Sequence, residues 1–236
     1  MDPALTIVVP ARNESARLPK TFGRLVACLD KFPAAELLIS IDPGSTDDTA
    51  TVVRELSAID QRVRYVTASA TGKGAVLRTG IEDARGDIVL MADADLSVDP
   101  DQFDQLIDAA RGGSVAIASR SVTGARRLDE PKSRYLAGRA FNSLVRWLLL
   151  PGIRDSQCGF KAFPRVAGVS VLREVSVTGW AFDVEFLARA RRAGMSIREF
   201  PVTWTFEHGS TVRMFGDAVG VGRDIWRLRR RLGRRP

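Results

Sequence analysis

The sequence predicts an α/β fold whose central sheet is mostly parallel and covered by helices on both faces. Short β-rich runs alternate with helical patterns through the first half of the 236 residues, which is typical of parallel strands joined by helices. The strand runs are mainly apolar, as expected for strands buried on both faces. With 45% hydrophobic residues, the chain is also able to bury a core of this size.

Five strands and four helices are predicted in the first half. The first helix is indicated by Leu18, Phe22 and Leu25, which recur at three- and four-residue spacing. The second follows residues 45–48, a turn rich in helix-capping side chains. The strands are predicted at residues 5–10, 36–42, 63–67, 88–92 and 115–119, and the helices at residues 18–31, 49–57, 74–84 and 100–111.

The second half is less regular. It is predicted to contain a helix at residues 133–150, irregular chain through residue 164, a helix at residues 181–193 and a strand pair at residues 197–200 and 202–205. The first of these helices is interpreted either as ordinary core or as part of an apolar groove for a lipid tail. A final amphipathic helix is predicted at residues 215–232, with arginines opposite its apolar side.

The positive charge is concentrated at the C-terminus. The net charge is +7, and residues 213–236 contain eight arginines against two aspartates. A nearly neutral body with a basic tail indicates an anionic partner surface, for which a membrane leaflet fits as well as RNA. Trp226 and its apolar neighbours give the tail the composition of an interfacial helix. We expect docking on a membrane, and no nucleic acid.

Cysteine and histidine usage argues against disulfides and zinc. Cys28 and Cys158 lie far apart in sequence, and His208 is the only histidine, so a Cys/His zinc cluster is excluded. The sequence opens without a secretory pattern, and we therefore expect a reducing, cytoplasmic compartment. The longest uncharged apolar run, residues 147–153, is far shorter than a bilayer span requires.

Polar loops follow three of the predicted strands, where open parallel sheets bind ligands. Residues 10–14 follow the first strand and Asp42 ends the second, but neither place carries the glycines of a dinucleotide or phosphate-binding loop. Asp93 and Asp95 follow the fourth strand. Two carboxylates one residue apart at a strand end are able to share Mg²⁺ or Mn²⁺, with diphosphate oxygens completing the coordination.

This order of motifs resembles glycosyltransferase family 2 over about residues 5–213. The resemblance implies a nucleotide-diphospho-sugar donor and a single Rossmann-like catalytic domain, placed at residues 1–212, with the tail at 213–236. Pro43 departs from the family pattern. The implied donor-site residues are Pro10, Ala11, Asn13, Glu14 and Asp42 facing the nucleoside, Lys73 and Arg78 in a basic segment, and Asp93 and Asp95 on the metal, with Asp95 also counted as catalytic.

Residues 155–161 and 179–185 look like motifs of dolichyl-phosphate glucosyltransferases, and Ser97 favours glucose and UDP over mannose. The resemblance therefore implies an inverting, metal-dependent transfer of glucose from UDP-glucose to a polyprenyl phosphate at the cytoplasmic membrane face. Arg120 and Arg134 resemble the arginines that hold the acceptor phosphate, and arginine's planar fork suits phosphate oxygens. A phosphate nucleophile needs no strong base, because its second pKa is about 6.

For several residues the sequence allows two roles. Asp183 is either a catalytic carboxylate or a helix N-terminal acid, and His208 is either a metal or diphosphate contact or a structural residue. Gln157 and Lys161 either touch the sugar or phosphates or lie at the surface. Alternative functions are a family 2 transferase with a soluble hydroxyl acceptor or another donor such as GDP-mannose, and a non-catalytic nucleotide-sugar or RNA binder.

Overall fold

The computed structural model describes residues 3–32, 34–207 and 214–233. Within them, strands and helices alternate from the first residues onward, as the apolar periodicity predicts. The strands are β1 (Leu5–Ala11), β2 (Ala35–Ile41), β3 (Val63–Thr67), β4 (Ile88–Met91), β5 (Val115–Ser119), β6 (Arg126–Leu128), β7 (Lys161–Pro164), β8 (Ile197–Pro201) and β9 (Thr203–Thr205). The helices are α1 (Leu18–Lys31), α2 (Thr49–Ser57), α3 (Lys73–Asp83), α4 (Asp104–Arg111), α5 (Lys132–Leu148), α6 (Arg165–Leu172), α7 (Phe182–Arg192) and α8 (Met214–Arg231).

The main sheet has seven strands in the order β3-β2-β1-β4-β7-β5-β8. All neighbouring pairs are parallel except those of β7, which runs antiparallel to both β4 and β5. A second sheet consists of β6 and β9, which are also parallel. The α/β class with a mostly parallel central sheet is confirmed.

Two apolar cores cover the two faces of the sheet, because successive side chains of a strand point to opposite faces. In β1, Ile7 and Val9 join the core that contains α1, α2 and α4, whereas Val8 joins the core that contains α3, α6 and α7. The predicted covering of both faces is therefore confirmed.

Three details of the sequence prediction were wrong. Residues 161–164, predicted as irregular, form β7, an interior strand of the sheet between β4 and β5. The two strands predicted as a pair near residues 197–205 do not pair with each other, since β8 joins β5 and β9 joins β6. The predicted helix at residues 100–111 is divided at Phe103 into a short 3-10 turn and α4. Pro100 is the first residue of the turn, and the Asp99 side chain accepts a hydrogen bond from the Asp101 backbone N–H. The α-helical hydrogen bonding begins only at Asp104.

Helix α8 packs on the rest of the domain. Ile225 and Leu228 are buried, and Arg229 donates a hydrogen bond to the Leu148 carbonyl at the end of α5 (3.0 Å). Trp226 remains 56% exposed on the other side of the helix. Among the described residues, no helix has both the length and the apolar character that a bilayer crossing requires.

Candidate active site

A cavity of about 840 Å³ opens at the carboxyl ends of β1, β2, β4 and β5. Ligands of open parallel sheets bind at this edge. Most of the residues predicted from the sequence line it together. They are Pro10, Ala11, Asn13, Glu14, Asp42, Lys73, Asp93, Asp95, Arg120, Arg134 and Gln157.

The loop after β1 is fixed against the loop after β2. Asn13 adopts a left-handed backbone conformation (φ 55°), and its side-chain oxygen accepts a hydrogen bond from the Thr46 backbone N–H (2.8 Å). The Glu14 backbone N–H donates to the Thr49 hydroxyl (2.8 Å). These bonds satisfy polar groups of both loops and hold one wall of the cavity in place.

Asp42 is a buried carboxylate that organises the neighbouring glycines. Its two oxygens accept hydrogen bonds from the backbone N–H groups of Gly44 (2.7 Å) and Gly72 (3.0 Å), and Arg12 lies 3.8 Å away. Gly72 has a φ of 114°, a conformation that side chains disfavour. Asp42 thus joins the end of β2 to the start of α3, where Lys73 begins the helix.

Negative charge accumulates around the acid pair after β4. Burial, followed by the charge of Asp93, raises the pKa of Asp95 above its ordinary value, although the Ser97 backbone N–H works against the shift. Burial also raises the pKa of Glu14 to about 7, although one guanidinium nitrogen of Arg17 donates to both carboxylate oxygens (2.8 and 2.6 Å). A bound cation would relieve this accumulation.

Gly159 sets the position of Asp93. A β-carbon placed on Gly159 would lie 1.9 Å from Oδ2 of Asp93 and 2.4 Å from its Oδ1. Only a residue without a side chain therefore lets the Asp93 carboxylate lie where it does. No role for Gly159 was predicted, because nothing in the sequence places residue 159 beside residue 93.

Lys73 bridges the acid pair and Asp183. Its ammonium lies 3.5 Å from Asp93 and 3.8 Å from Asp183. Burial disfavours the ammonium charge, but the two carboxylates outweigh burial and raise the pKa of Lys73. The ammonium also lies 5.4 Å from the centre of the Trp180 ring, within the range of a cation–π contact. Lys73 therefore stays positively charged at the edge of the cavity.

Asp183 is buried and forms an ion pair with Lys161. Its carboxylate accepts a hydrogen bond from the fully buried ammonium of Lys161 (2.6 Å). Burial alone would raise the pKa of Asp183, but Lys161 and Lys73 lower it below the ordinary value. Lys161 is not at the surface, and Asp183 is absent from the residues that line the cavity. This geometry supports a role for Asp183 in positioning Lys73.

The opposite wall of the cavity carries two arginines held against aromatic rings. Arg120 makes a bidentate pair with the buried carboxylate of Asp155 (2.7 and 2.9 Å) and lies 5.3 Å from the centre of the Trp204 ring. Arg134 lies 5.1 Å from the centre of the Phe206 ring. No carboxylate lies within 4 Å of the Arg134 guanidinium among the described residues. The wall is therefore suited to an anion.

Gln157 has an unsatisfied donor in this cavity. Its side-chain nitrogen is buried and finds no hydrogen-bond partner in the described part of the chain. A buried amide without a partner costs about 1–3 kcal/mol, and Gln157 lines the cavity. The nitrogen is therefore available to an oxygen of a ligand.

Arg78 is not brought to the cavity. Its guanidinium donates to the carbonyl oxygens of Leu172 (2.7 Å) and Val175. Arg78 comes five residues after Lys73, about 140° around α3, so it faces α6 instead of the acid pair. The predicted donor contact at Arg78 is thus corrected to a structural one. His208 lies outside the described residues.

Several residues that line the cavity were not predicted from the sequence. Arg12 and Arg17 add positive charge beside Asp42 and Glu14, and Trp180 and Trp204 supply its aromatic surface. Arg12 directly follows β1, and that strand-end position was a sufficient signal, whereas Arg17 lies just before α1. Trp204 reaches the cavity through β9, which pairs with β6, and no local pattern predicts that pairing.

Solved glycosyltransferase structures share this fold. The chain matches glucosyl-3-phosphoglycerate synthase from Mycobacterium tuberculosis, crystallised with Mn²⁺, UDP and glucosyl-3-phosphoglycerate, with a TM-score of 0.68 at 19% identity over 99% of this chain and 81% of that chain. A mycobacterial protein gives a TM-score of 0.72 at 19% identity over 99% and 76%. The likeness shows that the chain has the α/β fold of these structures.

The chain belongs to glycosyl transferase family 2, whose sequence profile matches residues 6–176. It is 35% identical to glycosyltransferase AglD of Haloferax volcanii over 98% of this chain, and spans only 38% of that relative. It is 33% identical to the dolichyl-phosphate beta-glucosyltransferase of Homo sapiens over 96% of this chain and 75% of the human protein. The resemblance stated from the motifs is confirmed.

Proposed function

We propose that the protein transfers glucose from UDP-glucose to a polyprenyl phosphate, with inversion at the anomeric carbon and with Mg²⁺ or Mn²⁺. The observation that carries the proposal is that one cavity places the acid pair Asp93 and Asp95 together with Arg120 and Arg134. The acids suit a cation that binds a diphosphate, and the arginines suit a second phosphate. The relatives named as dolichyl-phosphate glucosyltransferases support both the sugar and the acceptor class.

The donor half of the cavity is proposed to bind the nucleotide. Asp42 and Asn13 face the nucleoside in the loops after β2 and β1, together with Pro10, Ala11 and Glu14. The support is that hydrogen bonds already fix these loops to each other (Asn13 with Thr46, 2.8 Å). A preformed site loses less conformational entropy when its ligand binds.

Asp93 and Asp95 are proposed to hold the cation. Their hard oxygen atoms suit Mg²⁺ or Mn²⁺, and burial together with the neighbouring charge of Asp93 raises the pKa of Asp95. No group of three or more His, Cys, Asp or Glu side chains able to hold a metal is found among the described residues, so the remaining ligands would come from the donor and water. When bound, the cation neutralises charge on the leaving diphosphate.

The chain's own residues then account for the rest of the reaction. An oxygen of the acceptor phosphate attacks the anomeric carbon, and the bond to UDP breaks with its electron pair going to the β-phosphate oxygen. No proton has to move, because the phosphate is already largely a dianion at neutral pH. Arg120 and Arg134 orient the nucleophile, while Lys73 and Gln157 bind oxygens of the donor. A single in-line displacement inverts the configuration.

The donor and acceptor can be tested directly. The purified protein is given a series of labelled nucleotide-sugars, including UDP-glucose and GDP-mannose, with a short-chain polyprenyl phosphate and Mg²⁺ or Mn²⁺. We expect lipid-linked glucose from UDP-glucose. Transfer from another donor instead of UDP-glucose would overturn the proposed sugar. Product formed only with a soluble alcohol would overturn the proposed acceptor. Absence of product with every donor contradicts the proposal.

Arg134→Ala is expected to raise the KM for the polyprenyl phosphate about 10- to 100-fold and to leave the KM for UDP-glucose unchanged. A hydrogen bond to a charged group contributes about 1.5–3 kcal/mol, and Arg134 has no carboxylate partner among the described residues that would compete. Lys132→Ala is the control, because Lys132 is exposed two residues earlier on the same helix. Steady-state kinetics with each substrate varied separately measure the effect, and an equal rise in both KM values would contradict the assignment.

Asp183→Asn distinguishes a positioning role from a general base. We expect a loss of about 3 kcal/mol in the free energy of unfolding, because removing one partner leaves the buried Lys161 charge uncompensated. Urea denaturation measures this loss, with Asp87→Asn, an exposed aspartate, as the control. The buried Lys161–Asp183 pair is lost under either role, so turnover separates the two. A positioning residue predicts reduced transfer with an unchanged pH profile, whereas a general base, as a hydroxyl acceptor would require, predicts abolished turnover and a lost limb of the pH profile.

Attachment to the cytoplasmic membrane face is proposed to use the basic helix α8. Trp226 is 56% exposed on this helix, and the Arg230 guanidinium lies 4.7 Å from the centre of its ring. Such a combination of ring and cations is typical of interfacial helices.

A further inference from the structure

A second cavity, of about 330 Å³, lies between α5 and the loop after β5. It shares Arg120 with the active-site cavity, but its other arginines are not among the residues that line the first one. Arg139 and Arg146 project from one face of α5, since they are two helical turns apart. Arg154 reaches the same cavity from the chain that follows the helix. Three guanidinium groups therefore converge where the proposed reaction does not use them.

The positive charge of this second cavity is not neutralised by the protein. Within the described ranges, no carboxylate lies within 4 Å of the guanidinium groups of Arg139, Arg146 or Arg154. In the part of the chain that the structure describes, the hydrogen bond of the Arg139 guanidinium is to the Tyr135 hydroxyl (3.0 Å). The nearby Glu199 carboxylate accepts the backbone N–H groups of residues 154 and 155 (2.8 and 2.9 Å). Like charges gathered in one concavity repel one another, and an anion would relieve the repulsion.

An exposed apolar stripe borders the second cavity on the same helix. Leu136, Leu144 and Trp147 are 65%, 42% and 67% exposed. With 3.6 residues per turn, they span about 80° of the helix surface, on the side next to the row of Arg139 and Arg146. A concave cationic site next to an apolar row matches a molecule that has an anionic head and an apolar chain.

We propose that Arg139, Arg146 and Arg154 form a binding site for a phosphate group, supplied by the headgroup of an anionic membrane lipid whose chains meet the apolar stripe. This site is separate from the proposed acceptor contact at Arg134, which lines the first cavity. It goes beyond the proposed function, because it requires neither a nucleotide-sugar nor a polyprenyl phosphate. Guanidinium groups bind phosphate oxygens through pairs of parallel hydrogen bonds.

The test uses the full chain with phosphatidylcholine vesicles that contain or lack phosphatidylglycerol. The triple variant Arg139→Gln, Arg146→Gln and Arg154→Gln is expected to bind the anionic vesicles at least tenfold more weakly, as the loss of three basic residues near a leaflet predicts. The matched control replaces Arg54, Arg111 and Arg173 by glutamine, which removes the same charge from exposed positions outside both cavities. The affinity of this control variant for the anionic vesicles is expected to fall less than threefold.

Two further arms separate the sources of the phosphate. Trp147→Ala is expected to weaken vesicle binding and to leave the binding of inorganic phosphate, measured by calorimetry, unchanged. Phosphate binding that the triple variant abolishes, with vesicle binding equal to that of the control, would support the site and overturn the lipid as its source. If the triple variant and the control behave alike in both assays, the site itself is overturned.

Failure of this proposal is distinguishable from failure of the proposed function. Glucosyl transfer to a short-chain polyprenyl phosphate in solution, without vesicles, does not involve the three arginines. We expect the triple variant to retain that transfer, and its thermal unfolding midpoint checks that the fold is intact. Loss of transfer together with retained vesicle binding would contradict the separation of the two sites.

Discussion

Asp95→Asn is expected to lower kcat/KM for glucosyl transfer on the order of 10²–10³-fold, at any concentration of Mg²⁺ or Mn²⁺ below saturation. The neutral amide keeps the size of the side chain and removes one of the two charges proposed to hold the cation. Groups that stabilise charge developing in the transition state contribute factors of this size. Steady-state kinetics across a titration of metal measure the loss, and calorimetry measures the affinity for UDP with and without metal.

The control for this substitution is Asp108→Asn. Asp108 is an exposed acid on α4 whose partner is Arg111 (3.1 Å), and we expect wild-type kinetics from the variant. A different outcome would favour another class of function. If Asp95→Ala retains a metal-independent affinity for nucleotide and the wild type shows no turnover with any donor, the chain is a binder and the transfer reaction is wrong.

Gly159→Ala is expected to abolish metal-dependent binding of the donor while the protein stays folded. The added β-carbon would lie 1.9 Å from the nearer carboxylate oxygen of Asp93. The atoms that have to move are the end of a flexible side chain, so the backbone is able to stay in place while Asp93 leaves its position. We expect a loss of at least 100-fold in kcat/KM, with a small change in the unfolding midpoint, measured by kinetics and by thermal denaturation.

Gly23→Ala is the matched control for that variant. A β-carbon on Gly23 meets nothing within 4 Å, and alanine favours the interior of α1 by about 1 kcal/mol over glycine. The control is expected to be slightly stabilised and fully active. Normal metal-dependent binding in Gly159→Ala would show that the position of Asp93 does not matter, and the acid pair would lose its assigned role.

The donor half of the molecule could be predicted from the sequence because its signals are local. Alternating apolar strands and helices fix the order of β1 to β5, and the chain leaves each parallel strand at the same edge of the sheet. Asp42, Asp93 and Asp95 therefore meet although they are distant in sequence. The same reasoning failed for Arg78, because its position within a basic segment says nothing about which face of α3 it occupies.

The acceptor half was harder to predict because its contacts are not local. The strand β7 has four residues and begins with a lysine, so neither its length nor its alternation distinguishes it from a loop. Lys161 is tolerated in the core only because Asp183 neutralises it (2.6 Å), and the sequence does not place those residues together. The pairing of β9 with β6 brings Trp204 beside Arg120 in the same non-local way.

The antiparallel strand β7 also has a consequence for how the two reactants are spaced. Lys161, its first residue, is in register with Met91 of β4 and with Ile117 of β5. The strand β4 ends two residues before Asp93, and β5 ends at the residue before Arg120. The spacing between the proposed cation site and the proposed acceptor arginine is thus set by the main-chain pairing of β7 with β4 and β5. Replacing the segment after β5 with one that binds another phosphorylated alcohol is therefore expected to leave the proposed donor site unchanged.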